Sequence, residues 1–60
     1  MIKTYLGVDV GSVSTNIVAL DQQLNVLETV YVRTMGHPVK ATQQGLRNLL
    51  SRLPRTEILG

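Results

Sequence analysis

The chain has 60 residues, 43% of them apolar, with no cysteine, one histidine and a net charge of +2. That bounds it to one small domain with a thin core, and excludes a self-contained multi-step enzyme, disulfide staples and a structural zinc site of ordinary composition. A domain of this size buries only about 60% of its unfolded surface, so a fragment or an obligate homo-oligomer, stabilised by packing on more protein, is expected. No apolar run approaches the roughly 20 residues that cross a bilayer, and the N-terminus lacks a signal pattern, so the expected compartment is cytoplasmic with no membrane partner. The positive surplus is local. Residues 1 to 37 carry two basic and three acidic groups, and residues 38 to 60 carry four basic and one acidic.

Residues 2 to 34 hold thirteen Val, Ile or Thr, whereas residues 39 to 53 hold only Val39 and Thr42 and are otherwise Leu-rich. The shift predicts strands followed by a helix. Alternation puts Ile2, Thr4, Leu6, Val8 and Val10 on one face of a first strand and Lys3, Tyr5, Gly7 and Asp9 on the other. Gly11-Ser12 reads as a hairpin connection. A second strand follows from about Val13 to Leu20, a turn over Asp21 to Asn25, and a third strand from about Val26 to Arg33, giving an antiparallel meander. Met35-Gly36-His37-Pro38 breaks the pattern, and proline suits the first turn of a helix beginning near Pro38. Val39, Thr42, Leu46, Leu49, Leu50 and Leu53 gather within an arc of about 100°, with Lys40, Gln44, Arg47, Asn48 and Ser51 opposite. Gly45 borders that arc, where close contact with a strand would justify it. Pro54 stops the helix, and Glu57 to Gly60 begins a fourth strand. The expected class is α/β, with residues 1 to 60 forming a meander, a crossover helix and the start of a further strand.

The chemistry concentrates at the first hairpin. With Val10 facing Val13, Asp9 lies beside Ser14; with a loop two residues longer, Asp9 faces Asn16. Either register leaves a carboxylate, a hydroxyl and an amide on one face. Gly11-Ser12-Val13-Ser14-Thr15 offers consecutive backbone N–H groups with two or three hydroxyls beside them, which suits phosphate oxygens. A carboxylate just before such a loop would repel bare phosphate but is well used with hydrated Mg²⁺ between the two. The plainer reading is a common glycine-serine turn with a solvated aspartate at a strand end.

The string Leu6 to Leu20, LGVDVGSVSTNIVAL, resembles the first phosphate-binding hairpin of the actin-like ATPase and sugar kinase superfamily, whose domains are ribonuclease-H-like. Within it, the chain is most similar to the ATP-hydrolysing activators of 2-hydroxyacyl-CoA dehydratases and benzoyl-CoA reductases. Arg33-Thr34, Gly36-His37-Pro38 and Gly45-Leu46 carry that narrower likeness. The resemblance implies Mg-ATP as ligand, with Asp9 orienting Mg²⁺ through water and Gly11, Ser12, Val13, Ser14, Thr15 and Asn16 contacting the phosphates. It also implies an iron–sulfur cluster in the full-length family and a dehydratase or reductase partner that receives electrons. Asn16 departs from the lysine that activators often carry, supplying donors without charge.

Other residues read more plainly. His37 suits a helix entrance, and Lys40, Arg47, Arg52 and Arg55 a solvated face with no aromatic interleaving for nucleic acid. Tyr31 and Arg33 share a strand face, with Arg33 reaching solvent or a partner. Two rival readings stand beside the activator: a small-molecule kinase of the same superfamily, and a freestanding interaction module associating through sheet edges and its basic helix.

Overall fold

A computed structural model describes residues 1–53 and 55–60. The chain runs β1 (Ile2–Val10), β2 (Ser14–Leu20), β3 (Val26–Arg33), α1 (Pro38–Arg52) and β4 (Thr56–Ile58). These form one four-stranded mixed sheet in the order β3-β2-β1-β4, with β1, β2 and β3 antiparallel in sequence and β4 parallel to β1. The expected meander, crossover helix and fourth strand are all present as a small α/β domain. The role assigned to Pro54 lies outside the described residues. Pairing along β1 continues past β4: Leu59 N–H donates to Thr4 O at 2.8 Å and Leu6 N–H to Gly60 O at 2.7 Å.

β-Branched residues dominate β1 to β3, and alternation divides their sheet into two faces. The inner face carries Thr4, Leu6, Val8 and Val10 of β1, then Thr15, Ile17 and Ala19 of β2, and Val30 and Val32 of β3. The fully buried cluster is Ile17, Ala19, Val30 and Leu49, with Leu6, Leu27, Val32, Leu46 and Leu53 packed around it. A bulge between Ala19 and Leu20 leaves Leu27 as an extra residue on β3, and its side chain joins this core.

The β2–β3 turn is built on Asp21. Its carboxylate accepts from the N–H groups of Gln23 and Asn25, both at 2.9 Å, and from Asn25 Nδ2 at 3.1 Å. The bonds from Asn25, backbone first, hold the Asp21 carboxyl below the ordinary aspartate value.

α1 starts at Pro38, which pre-sets the helical φ and has no N–H to leave unpaired. Its side against the sheet differs from the expected arc. The buried residues are Ala41, Gly45 and Leu49, whereas Val39 is 71% exposed and Leu50 46%. The sheet contact is thus turned by roughly a quarter of a turn from the apolar arc. The reason is close approach: Gly45 lies over Ile17 and Val32, where only a small residue fits, and α1 sits above β2 and β3. Of the arc, Leu46 and Leu53 still pack at the edge of the core, while Val39 lies beside Val10 of β1, and the inner-face Val8 and Val10 stay half exposed. Among the described residues no helix is long and apolar enough to cross a membrane.

Candidate functional site

The β1–β2 register pairs Val10 with Thr15 and Asp9 with Asn16, the longer of the two loops the sequence allows. The connection is therefore Gly11-Ser12-Val13-Ser14, closed by Gly11 N–H donating to Ser14 O at 2.8 Å. Glycine suits its first position, because a Cβ there would press on that same oxygen at 3.2 Å. Ser12 and Val13 are exposed, and their N–H groups have no partner among the described residues.

β3 extends the site across the sheet. Asp9 pairs with Asn16, Asn16 with Tyr31, and Ser14 with Arg33, so all five side chains belong to the face opposite α1. Asp9 is exposed, with no ion pair or hydrogen bond to its carboxylate among the described residues. Asn16 Nδ2 reaches Ser14 Oγ at 3.5 Å, a long contact. Beside this row the face dips into an open hollow of about 450 Å³, lined by Gly7, Asp9, Asn16, Val18, Thr29 and Tyr31 among others. Gly7 keeps it open, since a Cβ would press on Val18 Cγ1 at 3.1 Å.

One proposed contact is corrected. Thr15, grouped with the loop hydroxyls by its place in the string, is fully buried on the inner face, where its Oγ1 meets Thr34 Oγ1 at 2.9 Å. Its hydroxyl is spent inside the protein, leaving Ser12 and Ser14 as the loop's hydroxyl donors. Alternation alone contains this result, since Thr15 has the parity of Ile17. Asp9, Gly11, Ser12, Val13, Ser14 and Asn16 do come together at the turn end of the sheet.

Two residues join the site that the string did not assign to it. Arg33 is exposed and has no ion-pair partner among the described residues, and its register with Ser14 sets a cation next to the turn. Thr34 is 3% exposed and binds the turn from the inner side: its N–H donates to Val13 O at 2.9 Å and its Oγ1 to Gly11 O at 2.8 Å. Arg33 and Thr34 both belonged to the narrower family likeness, which gave neither a role; for Arg33 its shared face with Tyr31 was a further signal.

The arrangement suits a metal that keeps its waters. Among the described residues no three of His, Asp and Glu cluster, and Asp9 is the carboxylate at this end of the sheet face. A single free carboxylate beside unpaired amides fits hydrated Mg²⁺ shared with phosphate, and does not fit a cage of protein ligands. Compared with known proteins, the chain matches no family model, and no curated protein or solved structure matches it.

Proposed function

We propose that this chain carries the first phosphate-binding hairpin of an ATP-hydrolysing activator of the actin-like ATPase type. Its ligand is Mg-ATP, and its partner is a 2-hydroxyacyl-CoA dehydratase or a benzoyl-CoA reductase that receives low-potential electrons. One observation carries the reading: an exposed, unpaired Asp9 carboxylate adjoins a turn whose Ser12 and Val13 N–H groups have no partner. The strand order β3-β2-β1-β4, with a parallel fourth strand reached through α1, supports a ribonuclease-H-like domain.

In this reading Asp9 accepts hydrogen bonds from metal-bound water and so orients the cation without touching it. Mg²⁺ bound there neutralises phosphate charge. The N–H groups of Ser12 and Val13 and the hydroxyls of Ser12 and Ser14 donate to phosphate oxygens, and glycine at position 11 lets the backbone close up. Arg33 adds the positive charge that Asn16 does not, from the strand next to Ser14. These sixty residues hold no cysteine, so they do not fit as ligands of the iron–sulfur cluster that the resemblance implies.

Calorimetric titration with ATP, with and without Mg²⁺, tests the reading. Binding that requires the metal and weakens at least about ten-fold in Asp9→Ala is expected. Equal affinity in the variant, or no binding by the native chain, rejects it.

A further inference from the structure

We propose that Thr34 is a positioning residue that presets the turn for an anion, an inference that rests on the phosphate-binding reading above. One residue holds two of the turn's carbonyls: Val13 O through its N–H at 2.9 Å, and Gly11 O through its hydroxyl at 2.8 Å. In a planar trans peptide the C=O and the following N–H point oppositely. Drawing Gly11 O inward therefore sends Ser12 N–H outward, away from Thr34.

The direction of the hydroxyl relay follows from counting protons. Thr34 Oγ1 has one proton and gives it to Gly11 O, so the 2.9 Å contact with Thr15 Oγ1 must be donated by Thr15. Thr15 and Thr34 thus form a chain ending on the turn. Both are buried, at 0% and 3% exposure, in a setting where valine has nearly the same shape and no polar group to satisfy. Hydroxyls at these positions hold the carbonyl of the turn, and packing alone does not need them. Thr34 is itself fixed from behind. His37 N–H donates to Thr34 O at 2.9 Å, across Met35 and Gly36, whose φ values of 51° and 74° fold the chain back. Donors aimed in advance lose less on binding than donors that must be ordered by the ligand.

The test measures the affinity for Mg·ADP and for inorganic pyrophosphate, with the thermal midpoint, in the native chain, Thr34→Val, Thr34→Ser and the double variant Thr15→Val/Thr34→Val. Thr34→Val strands the buried Thr15 hydroxyl, and the double variant removes it, so the double variant should unfold at a higher temperature than Thr34→Val. Affinity should not follow that recovery. It is expected to fall roughly ten-fold in Thr34→Val and equally in the double variant, while Thr34→Ser stays within about two-fold of native. If Thr34→Val does not fold, the double variant and Thr34→Ser carry the comparison. Affinity that returns with stability in the double variant, or that never falls, overturns the positioning role. If Asp9→Ala abolishes metal-dependent binding while the Thr34 variants keep it, only the positioning role falls. If the native chain binds neither probe, both readings fall.

Discussion

Gly45 is the residue on which the helix–sheet distance depends. A Cβ there would lie 2.7 Å from Ile17 Cδ1 and 3.4 Å from Val32 Cγ2. Alanine favours a helix over glycine by about 1 kcal/mol, but overpacking a filled core costs about 1–3 kcal/mol. Ile17 is 1% exposed, so although Cδ1 is the free end of its side chain it must turn within packed surroundings to make room, and Gly45→Ala should destabilise. Ile17→Val removes the offending Cδ1. In a double-mutant cycle followed by thermal unfolding, the pair should therefore be less destabilising than the sum of the singles by about 1 kcal/mol. Additive effects would mean that the helix simply lifts away. The close contact at Gly45 was legible in the sequence, because a glycine in mid-helix beside an apolar arc calls for one. Thr15 was legible too, yet a string read as a loop hides the alternation that turns it inward. The hold of Thr34 on the turn was not legible, since the bond from its hydroxyl to Gly11 O spans 23 positions of chain.

At the scale of elements, composition and alternation placed three strands and the helix start correctly, because β-branched runs and Pro38 act locally. They could not say which strands the helix covers. That depends on where the smallest residues allow contact: the line Ala41, Gly45, Leu49 faces the sheet, so of the expected arc Leu49 is buried, Leu46 and Leu53 pack at the core's edge, and Val39 and Leu50 are left exposed. Leu49 and Leu50, adjacent and chemically identical, separate the two descriptions. Leu49 is fully buried and Leu50 is 46% exposed. Leu49→Ala should cost about 3 kcal/mol, enough to unfold much of so small a domain, whereas Leu50→Ala should cost under about 1 kcal/mol. Denaturant titration of both variants decides the matter, and similar losses would restore the sequence-derived arc. For the candidate site, the sequence supplied the residues of one hairpin, and the pairing of β2 with β3 added Tyr31 and Arg33, whose register no local pattern specifies.

The whole molecule is a thin slab, 34 × 19 × 15 Å, in which one helix covers part of one sheet face. Among the described residues only Ile17, Ala19, Val30, Ala41 and Leu49 form the buried apolar core, while Val8, Val10, Val39, Leu50 and Ile58 each expose 43% or more of their surface. Val10 and Val39 line one shallow groove between β1 and the start of α1. The net charge of +2 is too small to keep such surfaces apart by repulsion. The sixty-residue chain should accordingly self-associate, with an apparent mass in sedimentation equilibrium that rises with concentration. Replacing both Val10 and Val39 by lysine removes apolar area at positions the fold leaves open and adds two like charges to the groove. That variant should keep the native circular dichroism and shift toward monomer. Val13→Lys/Leu24→Lys, more exposed as a pair but in the loops, should leave the association unchanged. A native chain that stays monomeric at all concentrations would mean that the slab is stable without burying its open faces, and would remove the case for an interaction module. An effect confined to the loop pair would put the contact at one of the two turns flanking β2 and not in the groove.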